Sequence, residues 1–139
     1  MAATPEPPFR AQVGALTKLY ERYKSDVAFY VVYIQEAHPS DGWVMRNNVQ
    51  AGITVATPLK FGERIDVAKT CAANLKLPMS TLVDTMDNAV NYKYSAWPDR
   101  IYVVDAKGRI AVQAAHGPRG FKPGVEATAA WLAENVSGK

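Results

Sequence analysis

The chain has 139 residues and a mass of 15.2 kDa, the length of one domain (residues 1–139), and 48% of its residues are hydrophobic, enough for a sizeable core. Its net charge of +3 is carried by Lys and Arg residues scattered among acids, which argues against a nucleic-acid partner. No apolar run approaches the ~20 residues that cross a bilayer and the first residues carry neither a basic nor an apolar export region, so no membrane partner is expected and the default setting is cytoplasmic.

Pro7-Pro8 suits the entry to a helix, because proline is tolerated in a first turn, and Phe9, Val13, Leu16, Tyr20 and Tyr23 then recur at helical spacing, which predicts a helix over 9–24. Ser25-Asp26 breaks it. The apolar, β-branched and aromatic run Val27 to Ile34 predicts a strand. The polar stretch over roughly 35–58 contains Pro39, Gly42, Gly52 and Pro58 and is too long for a plain connection, which marks it as functional. Phe61, Ile65, Ala68, Ala72 and Leu75 restore the helical period over 60–76, and Leu77-Pro78 ends it. A short strand follows at Ser80 to Asp84, then a brief helix within 85–97. Arg100 to Asp105 and Arg109 to Ala114, joined by Ala106-Lys107-Gly108, read as an antiparallel hairpin. The loop His116-Gly117-Pro118-Arg119-Gly120-Phe121 leads to a last helix with Val125, Ala129, Leu132 and Val136 on one face. The order α-β-α-β-(α)-β-β-α predicts a three-layer α/β domain with a mixed sheet.

Where the first strand ends, the chain abruptly supplies an acid, a histidine and turn formers, the arrangement of α/β sites beyond the carboxyl ends of strands. His38 lies between Glu36 and Asp41, a neighbourhood able to hold its tautomer and set its pKa near neutrality. It reads equally as a loop histidine that bonds the backbone. Pro39-Ser40-Asp41-Gly42 is turn chemistry, and Trp43 is a core or pocket-wall residue. Alternation along the strand turns Tyr33 and Gln35 one way and Ile34 and Glu36 the other. The single cysteine, Cys71, cannot close an internal disulfide and sits beside the apolar stripe of the middle helix, where a small buried hydrophobe is the plainer reading. With two histidines and one cysteine there is no zinc-type cluster, so neither metal nor other cofactor is expected.

Four stretches carry a specific resemblance: Val32-Tyr33-Ile34-Gln35-Glu36-Ala37-His38-Pro39-Ser40-Asp41-Gly42-Trp43, Val83-Asp84-Thr85-Met86-Asp87-Asn88, Trp97-Pro98-Asp99-Arg100-Ile101-Tyr102-Val103-Val104 and Gly117-Pro118-Arg119-Gly120-Phe121. In this order they resemble the iodothyronine deiodinases, a thioredoxin-fold family related to peroxiredoxins. The resemblance implies a thioredoxin-like domain, a small iodinated or halogenated phenol as substrate, and reductive deiodination with a thiol reductant. It implies a selenocysteine or cysteine just before Pro7-Pro8-Phe9, at a helix N-terminus that favours its anion. It also implies substrate contact or proton transfer by His38, with Glu36 and Tyr33 contributing proton transfer and positioning. Arg100 stands opposite the reactive group, where it binds a carboxylate or phenolate or depresses a thiol pKa; a surface pairing with Asp99 or Asp84 is its other reading.

The reactive position itself is Glu6, preceded by Thr4 and Pro5. A carboxylate is a poorer halogen acceptor than a thiolate and cannot cycle through a disulfide, so activity is expected to be impaired or absent. Glu6 reads either as an anion cap of the helix or, by the usual behaviour of termini, as a solvated tail residue. The family's first strand has no counterpart, since three residues precede Thr4. Either the sequence is a shortened form of the protein, or a sheet so depleted is completed by another element or a second chain, which makes a homodimer an expected partner. The family's hormone-binding histidine falls near Pro58. Beside a deiodinase-like oxidoreductase stand two alternatives: a non-catalytic binding or structural module of this fold, and a peroxiredoxin-like thiol oxidoreductase.

Overall fold

A computed structural model describes residues 6–50 and 52–137. The expectations about Thr4, Pro5 and a strand ahead of them fall outside the described residues. The elements run α1 (Pro7–Tyr23), β1 (Tyr30–Tyr33), α2 (Arg46–Gln50), α3 (Phe61–Asn74), β2 (Ser80–Val83), α4 (Ala89–Tyr94), β3 (Tyr102–Val104), β4 (Ile110–Gln113) and α5 (Phe121–Asn135). This is the α/β, thioredoxin-like order expected from the sequence, with the short helix α2 added inside the polar stretch.

Helix α1 opens on its two prolines and buries Phe9, Leu16 and Tyr23, seven residues apart and therefore on one face. It ends where the Tyr23 carbonyl accepts the Asp26 and Val27 amides. β1 alternates, with Val31 and Tyr33 buried and Tyr30 exposed. It pairs in parallel with β2, Tyr30 opposite Ser80 through Tyr33 opposite Val83, and the Asp84 amide extends the ladder to the Tyr33 carbonyl. The polar stretch and α3 supply the long crossover that parallel strands require.

β3 and β4 form an antiparallel pair with an irregularity between Val103 and Val104. Their turn is held by Asp105, whose carboxylate accepts the Lys107 and Arg109 amides, and by Gly108 at φ +77°, a conformation open to glycine. Instead of the single mixed sheet expected, the described residues form two two-stranded sheets, one parallel and one antiparallel, with no ladder between β1 and β3. Helices join the halves: α1 packs on α5, α5 on β3 and β4, and α3 on β2. Their shared core is Phe9, Leu16, Val31, Met79, Phe121 and Val125, with the Phe9 and Phe121 rings edge to face at 5.7 Å. Trp97-Pro98 and Gly117-Pro118 are cis. Among the described residues no helix is long and apolar enough to cross a membrane.

Candidate functional site

The site begins where α1 and β1 meet. Glu6 is the residue ahead of α1, but its carboxyl forms no cap hydrogen bond to the helix. It turns inward instead and is 2% exposed. Both expectations for this residue, the solvated tail and the anion cap, are therefore corrected: the two prolines remove the first two amides a cap could engage, and the side chain packs into the molecule instead. Its Oε1 lies 3.1 Å from His38 Nε2. The contact is close without being an aligned hydrogen bond, since Oε1 has no hydrogen-bond partner among the described residues.

His38 is placed by the loop that follows β1. Its Nδ1 lies 3.1 Å from the Trp43 carbonyl, which only accepts, so Nδ1 carries a proton and Nε2 faces Glu6. The backbone carbonyl thus holds the tautomer, not Asp41 as its place in the sequence suggested. Asp41 instead accepts the amide and hydroxyl of Thr57, and the Ser40 amide donates to Val55, which pins the two ends of the polar stretch together. The Trp43 ring meets the His38 ring edge to face at 4.6 Å but is 70% exposed. It is not a core residue; its indole caps the histidine from the solvent side.

A second carboxyl completes the cluster. Asp99 is fully buried, with neither oxygen hydrogen-bonded among the described residues. Burial pushes its pKa up to about 6. Glu6 is pushed up to about 7 by burial first and the Asp99 charge second, opposed by the Arg10 guanidinium. Two buried acids near one another cannot both ionise cheaply, so Glu6 is half-protonated near neutrality, with its Oε1 facing His38 Nε2. Such a pair can give or take a proton, which is the chemistry of general acids and bases.

Gly117 makes room for Asp99: a Cβ there would lie 1.7 Å from Asp99 Oδ1, and the Gly117 amide donates to the Asp99 carbonyl. Arg10 Nη2 reaches Asn48 Oδ1 at 3.2 Å, tying α1 to α2, and Asn48 is 1% exposed. Sequence reasoning missed Asp99, Arg10 and Asn48 as members of the site. Spacing does not reveal them, although Asp99 lay inside a recognised motif.

Tyr33 is buried, its hydroxyl without a partner among the described residues, and Glu36 is half-buried beyond the end of β1. Arg100 is not brought to this cluster. Its guanidinium donates to the carbonyls of Ala114, at 2.7 Å, and Ser95, and meets His116 Nε2 at 3.2 Å. It pairs with neither Asp99 nor Asp84, because those carbonyls already engage its donors. Asp84 accepts the amides of Thr85, Val90 and Asn91 instead. Cys71 is buried on α3. Among the described residues no group of three or more His, Cys, Asp or Glu side chains could hold a metal ion.

Comparison with known proteins bears on this arrangement. The profile of the iodothyronine deiodinase family matches residues 2–136. The chain belongs to that family. Among its relatives, thyroxine 5-deiodinase of Homo sapiens is 35% identical over 127 residues, 91% of this chain and 39% of the relative. The corresponding protein of Sus scrofa is 33% identical over 126 residues, 91% of this chain and 39% of the relative. Type I iodothyronine deiodinase of Xenopus laevis is 32% identical over 117 residues, 84% of this chain and 44% of the relative. This deiodinase-family chain therefore spans about two fifths of the length of the relatives it matches.

Proposed function

We propose that this deiodinase-family chain binds an iodothyronine-like halogenated phenol against His38 and Trp43 and exchanges a proton with it through Glu6, without thiol-dependent removal of iodine. One observation carries the reading: the reactive position holds a buried carboxyl of raised pKa, 3.1 Å from His38, in place of a thiol or selenol. Replacing a C–I bond by C–H takes two electrons. A thiolate or selenolate accepts the iodine and passes the oxidation on as a disulfide with a second thiol; a carboxyl has no such redox partner. What Glu6 and His38 can supply is a hydrogen-bonding pair for a phenolic hydroxyl, and the exposed Trp43 supplies an aromatic wall for the ring. Tyr33 and Glu36 belong to the support of this loop, and Arg100 to the hairpin beside it.

The relatives named above act, by their names, on thyroxine or iodothyronines, so thyroxine is the probe. Iodine quenches indole fluorescence, and saturable quenching that is lost in Trp43→Phe is the expected binding signal. With excess dithiothreitol the unaltered chain releases no iodide, whereas Glu6→Cys releases it. Iodide release by the unaltered chain that survives Cys71→Ala, or the absence of any Trp43-dependent quenching, overturns the proposal.

A further inference from the structure

Glu6 and Arg10 stand one turn apart at the start of α1, where the Arg10 amide donates to the Glu6 carbonyl at 3.2 Å. An acid four residues ahead of a base is the order in which helical ion pairs form best. No such pair forms here: among the described residues the Glu6 carboxyl approaches His38 Nε2 and has no Arg or Lys within ion-pair distance. The half-buried Arg10 turns to a neutral group instead, its Nη2 donating to Asn48 Oδ1 at 3.2 Å. A guanidinium only donates, so the oxygen of the Asn48 side-chain amide is the atom that faces it.

Asn48 is itself fixed. It is 1% exposed, its backbone amide donates to the Met45 carbonyl and its carbonyl accepts the Ile53 amide, each at 2.9 Å. The stretch that bears it is closed at its base by Asp41 and Thr57, and it also supplies the Trp43 carbonyl that meets His38 Nδ1. One loop thus reaches both members of the acid–base pair, His38 directly and Glu6 through Arg10. The charged groups around Glu6 are Arg10 from α1, His38 from the loop after β1 and Asp99 from the segment before β3, while α2 brings the neutral Asn48 and keeps Arg46 exposed. Burial and then the Asp99 charge hold the Glu6 pKa up, and Arg10 at its distance offsets only part of this. In direct contact it would offset far more, since an opposite charge within ~4–6 Å lowers a carboxyl pKa by about 1–3.

We propose that Asn48 is a positioning residue: its buried amide oxygen withholds Arg10 from Glu6 and so leaves the Glu6–His38 pair a proton to exchange. This rests on the proton-exchange reading of that pair and names the residue that sustains it.

The test follows the Glu6 carboxyl by ¹³C NMR in the full chain between pH 4 and 9, with Glu6→Gln identifying its resonance. Asn48→Ala frees the guanidinium to pair with Glu6, and the titration midpoint should fall from about 7 by at least about 1 pH unit. Arg10→Gln removes the charge, and the midpoint should rise by at least about 0.5 pH unit. The double variant should behave as Arg10→Gln alone, because no guanidinium is left to release. A midpoint that stays or rises in Asn48→Ala overturns the proposal, as does a double variant that falls like Asn48→Ala, because Asn48 then acts without Arg10. Should Asn48→Ala fail to fold, an unchanged midpoint in Arg10→Gln overturns it equally. These titrations need no ligand, so a failure of thyroxine to quench Trp43 overturns the proposed function and not these shifts.

Discussion

At Glu6 an ionisable group is held where ionisation is costly. Burial and the Asp99 charge raise its pKa from 4.5 to about 7, so the unfolded chain releases this proton near pH 4.5 and the folded chain only near 7. Between those values the unfolded state binds fewer protons, and stability falls as pH rises through the window before levelling off. Asp99 adds the same sign between 3.8 and about 6. Glu6→Gln keeps the shape and removes the charge. It is expected to flatten the upper part of this decline, making the variant about 1–3 kcal/mol more stable than the unaltered chain at pH 8 and little different at pH 4. Urea midpoints across pH 4–8 check it; identical profiles would show that the carboxyl is not held away from water. His38 was legible as a candidate because turn formers and acids surround it in the sequence. The burial of Glu6 was not legible, since a residue six from the start, among prolines, carries no local sign of what packs over it.

Single side chains decide how the elements are joined. Asp84, 1% exposed, accepts the Thr85 amide and two amides at the start of α4, those of Val90 and Asn91, where the preceding Asn88 is left-handed and provides no side-chain cap. Arg64, 4% exposed, reaches from α3 to the carbonyls of Asp84 and Thr85 and to Asn88 Oδ1, so one guanidinium locks the loop between β2 and α4. Asp84→Ala strands those amides and is expected to cost about 2–4 kcal/mol, read from urea unfolding; a loss below 0.5 kcal/mol would show that water replaces the carboxylate. Helix periodicity located α1, α3 and α5 within a few residues. The five-residue α2 escaped because one turn of helix leaves no period to detect. In α5 the buried face includes Gly124 and Thr128 rather than Ala129. A Cβ on Gly124 would meet Ala114 Cβ at 2.4 Å and Ile101 Cγ2 at 2.6 Å, so the hairpin's close approach selects the glycine.

Across the molecule, the two strand pairs share no ladder, and the helices carry the connection between them. The contact of α1 with α5, centred on the Phe9–Phe121 ring pair, therefore bears on the stability of both halves. Phe121→Ala is expected to cost about 3–5 kcal/mol in denaturant unfolding while leaving a single cooperative transition. Two separate transitions would show that the halves fold independently.

The sequence by itself determined the order of elements, the α/β class and the family, because helical period, strand alternation and four ordered motifs are local properties that survive without coordinates. The resemblance also raised the expectation that Glu6 stands at the family's reactive position. Only the tertiary structure decided that Glu6 is buried against His38, that Asp99 shares its electrostatics, that Arg100 braces a hairpin, and that β1 and β3 share no ladder among the described residues. Those outcomes depend on contacts between residues far apart in the chain, where burial and neighbouring charge set the chemistry, and neither can be read from spacing along a sequence.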